Sequence, residues 1–382
     1  MIRLEDLTKI FRTPSGDIVA ADRVNMEVPE GEICILLGPS GCGKTTALKM
    51  INRLIPPTSG KIFIGGKDTS QLNDIELRRN IGYVIQQIGL FPNMTIEENI
   101  CVVPRLLQWD IKRARTRAAE LLDLVGLDAR QYLKRYPKEL SGGQQQRVGV
   151  IRALAADPPV MLMDEPFGAI DPINREIIQD EFLKMQSELK KTIMFVSHDI
   201  DEAVKMGDKI AIFRAGKIEQ YASPDQILAH PENAFVADFV GTDRTLKRLR
   251  LLTAEEVADR NAPITSRSTK VDDARQVLAA SKARFAVVID GENRPVGFIT
   301  ADEMRGASGT VRELANRLPA TVPIRADLRA VVSEMFAHDT MWLACTDDNG
   351  RYAGVISQPD VTTALRATYA SAPDAAHDPG AP

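Results

Sequence analysis

An apolar run, Glu32–Leu37 (EICILL), leads directly into Gly38-Pro39-Ser40-Gly41-Cys42-Gly43-Lys44-Thr45 and then into the helix-favouring stretch Thr46–Ile51. Strand, glycine-rich loop and helix in that order constrain this chain more than any other feature. The pattern G-x-x-x-x-G-K-[ST] wraps backbone N–H groups around an anion and aims a helix N-terminus at it. A loop of this kind sits at the C-terminal edge of a parallel sheet, so it predicts an α/β fold. The loop residues and Thr46 are candidate nucleoside-triphosphate contacts. Lys44 is expected to reach the β- and γ-phosphates, and the Thr45 hydroxyl to ligate Mg²⁺. The competing reading, a glycine-rich surface turn, does not account for the strand before it and the helix after it.

The rest of residues 1–240 fits that class. Short β-rich runs at Ile81–Ile85, Val160–Met163, Thr192–Val196 and Lys209–Phe213 alternate with helical stretches, as in a mostly parallel sheet. From about Asn93 to Arg152 the chain becomes charged and Ala/Leu-rich (KRARTRAAELLDLVGL), which reads as a helical subdomain inserted in the α/β core. A length of 382 residues suggests two or three domains. The 48 basic and 52 acidic side chains leave a net charge of −4, which argues against nucleic acid as a partner. No apolar run approaches the ~18 residues of a membrane span, and MIRLEDLTKIF lacks a secretory h-region. Cys34, Cys42, Cys101 and Cys345 are scattered, with no CxxC pair. A soluble cytoplasmic protein is the expectation.

Two further motifs bear on chemistry. Val160-Met161-Leu162-Met163-Asp164-Glu165 is an apolar strand ending in two carboxylates. On their own such acids read as a solvated turn. Beside a phosphate loop, Asp164 suits Mg²⁺ and Glu165 suits the base that polarises an attacking water. Leu140-Ser141-Gly142-Gly143-Gln144 then opens a helix with another set of backbone N–H groups.

With LSGGQ in place, the chain resembles the ATPase subunits of ATP-binding-cassette (ABC) transporters over about 240 residues. The resemblance implies two subunits sandwiching two ATP molecules. Ser141, Gly142, Gly143 and Gln144 of one subunit would then close on the γ-phosphate held by the other. One phosphate loop and one signature per chain imply a homodimer. By the same resemblance Phe11, in LTKIF, stacks on adenine, with an ordinary core Phe as the alternative. Gln86, in YVIQQ, links the Mg²⁺ site to the membrane partner; Gln87 competes for this place, and the LFP that follows favours Gln86. Asp171, in GAID, crosses the dimer interface, and His198, in FVSHD, senses the γ-phosphate. Lys44, Glu165 and His198 are the implied catalytic set, with Thr45, Gln86 and Asp164 around the metal. Cys42, beside Lys44, is a candidate for maleimide inactivation that MgATP prevents.

After residue 240 the character changes. Residues 241–261 read as a linker whose Arg244, Lys247, Arg248 and Arg250 form a solvated basic face, with anionic lipid as the alternative partner. Residues 262–306 and 318–366 read as two copies of a strand–helix–strand–strand–helix unit. Gly297 and Gly354 lie 57 residues apart, and Asp273 and Asp327 lie 54 apart. Residues 367–382, rich in Ala, Pro and Asp, are expected to be disordered. GFIT with Glu303 and GVIS with Asp360 resemble tandem cystathionine-β-synthase (CBS) domains. In CBS pairs that bind adenine nucleotides, Thr300, Glu303, Ser357 and Asp360 occupy ligand-contact positions, and cyclic di-AMP is the other implied ligand. Alternatively the two acids are helix-start residues favoured by the dipole, and the pair is a dimerisation module.

The separation of 97 residues between Lys44 and Ser141, without sustained heptads, suits a transporter rather than a DNA-handling ATPase. GAID and the missing spans resemble importers with a separate permease, which the helical region would contact. IGYVIQQIGLFPNMTIEENI, INRLIPPTSG and VSHDIDEA resemble the quaternary-amine group, which imports glycine betaine, carnitine or choline. That implies an ATP- and Mg²⁺-dependent subunit at the cytoplasmic face of the inner membrane. It would serve an extracytoplasmic binding protein indirectly. Two alternatives stay open: an importer of another small polar solute such as an amino acid, and a soluble CBS-regulated ATPase without a permease.

Overall fold

The computed structural model describes residues 1–86, 89–168, 170–281 and 283–370. The chain divides into two compact units, residues 1–227 with 231–241, and residues 228–230 with the chain from 242 onward. The first unit opens with an antiparallel hairpin of β1 (Ile2–Thr13) and β2 (Gly16–Val28), followed by β3 (Ile33–Leu37). The strands β4 (Ser59–Ile64) and β5 (Lys67–Asp68) return to the hairpin and complete a four-stranded antiparallel sheet, order β2-β1-β4-β5. Then come β6 (Ile81–Val84), β7 (Val160–Asp164), β8 (Thr192–Val196), β9 (Lys209–Arg214) and β10 (Lys217–Ala222). With β3 they form a six-stranded sheet, order β10-β9-β3-β8-β7-β6, parallel except for β10.

Every residue of β3, β7 and β8 is buried, which is why these strands stand out as unbroken apolar runs. They lie side by side, so the loops that leave their C-terminal ends emerge along one edge of the sheet. Helices Ile96–Ile100, Val102–Leu106, Ile111–Leu124, Ala129–Tyr132 and Gly142–Leu154 make the intervening stretch helical. The last of these buries Val148, Ile151 and Leu154 and packs against β6.

The second unit holds two three-stranded sheets of one design. They are β11 (Ile264–Ser266), β12 (Phe285–Ile289) and β13 (Pro295–Thr300), then β14 (Thr321–Pro323), β15 (Trp342–Thr346) and β16 (Tyr352–Ser357). In each the first pair is parallel and the second antiparallel. The repeat offset is 57 residues throughout: Ile264 matches Thr321, Phe285 matches Trp342 and Thr300 matches Ser357. Asp273 and Asp327 are therefore not equivalent. Asp327 caps the helix Leu328–Ala337, and the residue matching it ahead of helix Val271–Ser281 is Lys270.

Three further expectations change. The first repeat lacks its final helix: residues 301–306 form turns, and Glu303 lies in one of them. Gly306 and Gly309, at φ 72° and 104°, stop a helix there, whereas Asp360 sits in the first turn of helix Gln358–Ala370. That helix includes residues 367–370; residues 371–382 of the expected tail lie outside the described residues.

Nor is 241–261 an open linker. Arg248 is 1% exposed and Lys247 pairs with Asp243, so the basic face is half submerged. Leu249 and Ala254 sit in the core of the second repeat with Val322, Leu328 and Ile356. Bridges Thr253–Asp327 and Asp259–Val355 tie this segment to the second repeat, and Lys270–Thr310 and Phe298–Asn316 tie the corresponding later segment to the first. Each repeat therefore completes its fold with the segment that leads into the other, which explains why neither can bury both faces alone.

Candidate active site

The phosphate loop leaves β3 with Gly38, Gly41 and Gly43 at φ 146°, 79° and 107°. A Cβ at Gly43 would stand 2.0 Å from the Ala20 carbonyl oxygen, and one at Gly38 2.3 Å from that of Phe213. Backbone fills those spaces, so only glycine fits. The following helix runs Lys44–Ile51, two residues earlier than expected, and no side chain caps it. Helices that open at Ser141, Asp171 and Asp199 are each capped by that side chain. The N–H groups left open at the phosphate loop are those an anion would satisfy.

Lys44 is buried, and its Nζ donates to the Gly38 and Pro39 carbonyls at 2.6 and 2.8 Å. The ammonium is thus folded back over its own loop, where phosphate oxygens would replace the carbonyls as acceptors. Cys42 is 6% exposed, with Sγ 3.5 Å from the Lys44 Nζ. The thiol is beside the cation, as expected, but shielded from a bulky reagent.

Across the sheet, Thr45 Oγ1 donates to Asp164 Oδ1 at 2.8 Å. Asp164 is 3% exposed, and desolvation raises its pKa despite that hydrogen bond and the cations Lys49 and Lys44. A buried carboxylate with so little compensation, next to a hydroxyl, suits a hard oxygen-seeking cation such as Mg²⁺. Glu165, the next residue, takes a left-handed backbone at φ 48°, with its N–H held by the Val196 carbonyl at 3.1 Å. That turn costs about 1–2 kcal/mol for a non-glycine residue and separates the two carboxylates in direction. Glu165 Oε2 accepts from Gln86 Nε2 at 3.1 Å, and Oε1 lies 3.7 Å from His198 Nδ1. Gln87 lies outside the described residues.

Lys44, Thr45, Gln86, Asp164, Glu165 and His198, far apart in sequence, thus converge at the strand ends. The signature residues do not join them by any hydrogen bond among the described residues. Ser141 accepts from the Gln144 N–H and the Gln144 side chain accepts from the Ser141 N–H, a reciprocal cap. Asp171 likewise caps helix Pro172–Leu189 through the Asn174 N–H at 3.1 Å. Phe11 stands on the antiparallel sheet, 37% exposed, with Lys9 Nζ 5.0 Å from its ring centre. It is a surface aromatic, not a core one. The sequence motif assigns Gln146 no role, yet it is 3% exposed and its amide donates to the Pro166 carbonyl, tying the signature helix to the loop after Glu165. The glutamine run after LSGGQ was the available signal.

In the second unit, Thr300 donates to Glu303 Oε2 through its N–H and hydroxyl at 2.8 and 2.9 Å, and Asn316 donates to Oε1. Ser357 engages Asp360 in the same way. Stacked Phe285 and Trp342, with ring centres 4.0 Å apart, join the two sheets; Thr300 is the cross-strand partner of Phe285, and Ser357 that of Trp342.

This parallel-sheet core with its phosphate loop, strand-end carboxylates and LSGGQ helix defines an ABC-type ATPase. A family profile described as ABC transporter matches residues 21–168, and one described as CBS domain matches residues 254–309 and 311–367. The chain is 59% identical over 360 residues to the osmoprotectant import ATP-binding protein OsmV of Salmonella typhimurium, covering 94% of each chain. It is 43% identical over 362 residues to the glycine betaine/carnitine/choline transport ATP-binding protein OpuCA of Bacillus subtilis, again covering 94% of each. Among solved structures it resembles the dimeric post-hydrolysis state of the ATP-binding cassette MJ0796 bound to ADP and Pi. There the TM-score is 0.54 at 37% identity, covering 59% of this chain and 99% of that one. The protein belongs to the ABC transporter ATP-binding subunits that carry tandem CBS domains, and it is an ATPase.

Proposed function

We propose that this protein powers import of a quaternary-amine osmoprotectant of the glycine betaine, carnitine or choline type through a separate permease. The observation that carries this reading is the kinship, over 94% of the chain, with osmoprotectant import subunits, which spans the second unit as well as the ATPase. The working form is a homodimer, peripheral to the cytoplasmic face of the membrane, with an extracytoplasmic binding protein delivering the solute. No helix among the described residues is long and apolar enough to cross a membrane. A groove of about 330 Å³ beside β6, lined by Arg78, Tyr83, Phe91, Val103 and Arg152, suits a short helix of the permease.

In this reading Lys44 and the uncapped helix N-terminus hold the β- and γ-phosphates, while Phe11 offers its exposed face to adenine. Thr45, Asp164 and Gln86 would hold Mg²⁺, which when bound neutralises charge on the β–γ oxygens. Glu165 accepts a proton as water attacks the γ-phosphorus and the bond to the bridging oxygen breaks. His198, beside the same carboxylate, orients on the γ-phosphate. Ser141 and Gly143 complete the site of the other subunit, and Asp171 lies at the interface. Positioning and electrostatics supply most of the acceleration.

For the CBS pair the geometry favours a structural role, because Glu303 and Asp360 are already satisfied by their own strand ends. Calorimetric heat with an adenine nucleotide or cyclic di-AMP, lost in Asp360→Ala, would overturn that. The function itself is tested by labelled glycine betaine uptake in cells lacking the native gene, with wild type or Glu165→Gln restored, at low and high osmolarity. Uptake is expected with wild type alone. No uptake with either discards betaine as cargo.

A further inference from the structure

Helix Pro172–Leu189 begins at Asp171, and helix Ile200–Met206 begins two residues after His198. Side chains at helical spacing lock the two together. Arg175 donates to the Ile170 carbonyl at 2.9 Å, just ahead of Asp171, and places Nη1 3.6 Å from Asp199. One turn on, Gln179 Nε2 donates to Glu202 Oε1 at 2.9 Å, with both side chains buried. A further turn on, Lys205 pairs with Asp180 at 2.7 Å and donates to the Glu176 carbonyl at 3.3 Å.

The central rung reaches the site itself. The Glu202 backbone N–H donates to Oδ1 of Asp199, the residue after His198, at 3.3 Å. The Ser197 hydroxyl in turn accepts the Asp199 N–H at 3.0 Å, so the backbone on both sides of His198 is pinned. A buried carboxylate costs stability unless it is fully bonded. Its burial there, with a buried amide facing it, is what a positional task would require.

We infer that Arg175, Gln179 and Glu202 are positioning residues that brace the Asp171 helix against the segment carrying His198, so that the place of His198 beside Glu165 is set from the Asp171 loop. The inference rests on the reading of Glu165 and His198 as hydrolytic groups. None of the three is among the residues read as nucleotide contacts; in this reading they act through His198. A shift of the Asp171 loop would reach the hydrolytic carboxylate along this brace, a route from the subunit interface to the site.

The test is single-turnover MgATP hydrolysis by the full-length protein, with ATP affinity measured separately, in wild-type and His198→Ala backgrounds. Gln179→Leu is expected to slow hydrolysis about tenfold at unchanged ATP affinity, yet to slow His198→Ala less than about twofold further, because coupled residues are non-additive. The exchange pair Gln179→Glu with Glu202→Gln keeps donor and acceptor in reversed order and is expected to recover within about twofold of wild type. Equal slowing in both backgrounds, or no slowing in the first, overturns the inference. If Gln179→Leu does not fold, Glu202→Gln alone serves, with the same non-additivity expected. His198→Ala at wild-type speed would instead sink the underlying reading of His198, a result visible without any brace variant.

Discussion

The side-chain amide of Gln86 donates to Oε2 of Glu165 at 3.1 Å, joining residues 79 apart in sequence. Gln86 follows β6, whose residues Ile81, Gly82 and Tyr83 line the groove proposed for the permease. The hydrogen bond therefore connects the strand lining that groove to the carboxylate proposed to act on water. A displacement at one end has a short route to the other.

Glu165→Gln keeps the shape and hydrogen-bonding span of the side chain but cannot accept a proton as a base. Hydrolysis should fall at least about 100-fold, the scale of general-base loss, with ATP affinity kept. Steady-state phosphate release and equilibrium nucleotide binding check both halves. Residual hydrolysis within tenfold of wild type would remove Glu165 from the role of base.

The loop glycines should differ in cost. At Gly43 an added Cβ meets the Ala20 carbonyl oxygen at 2.0 Å, whereas at Gly41 nothing lies within 4 Å. Gly41→Ala should cost only the left-handed backbone penalty of about 1–2 kcal/mol. Gly43→Ala adds an overpacking cost of about 1–3 kcal/mol and should also abolish ATP binding. Denaturant unfolding and nucleotide titration of the two variants give the comparison.

Much of this site was legible because its motifs are local. GPSGCGKT, MLMDE, LSGGQ and FVSHD each occupy one strand end or one helix start, so spacing and residue type suffice. The same holds for the buried parallel strands β3, β7 and β8, whose apolar runs need no partner to be recognised. What stayed hidden depends on distant partners. Strands β1 and β2 mix Lys9, Arg12 and Arg23 with apolar residues, and their pairing gives no local signal. The role of residues 249–258 was invisible for the same reason: Leu249 and Ala254 are buried by residues some 70 to 100 positions away. Gly306 and Gly309 did carry a signal, two helix breakers where the second repeat has Thr363 and Arg366, but the repeat pattern overrode it.

That hidden packing has a consequence for stability. Ala254 is fully buried in the core of the second repeat although it precedes the first. Ala254→Asp would place a charge there with no partner, so a loss of about 3 kcal/mol or more is expected. It should appear as lower stability of the second unit. ATP hydrolysis by the first unit is expected to persist, which calorimetric unfolding together with an ATPase assay would show.

Glu202 should impose a pH dependence on stability. Burial raises its pKa above the ordinary 4.5, outweighing the favourable influence of nearby Ser197 and of the Gln179 hydrogen bond. The folded state then binds this proton at a higher pH than the unfolded chain does, so the carboxyl contributes stability that is fully present below the unfolded value and lost as pH rises through the folded one. Relative to Glu202→Gln, wild type should gain stability as pH is lowered from neutrality through the raised folded pKa toward 4.5, and level off below it. Urea unfolding of both proteins across that range tests the sign. A difference that stays flat, or grows with rising pH, would mean that Glu202 is ionised in the fold at no cost.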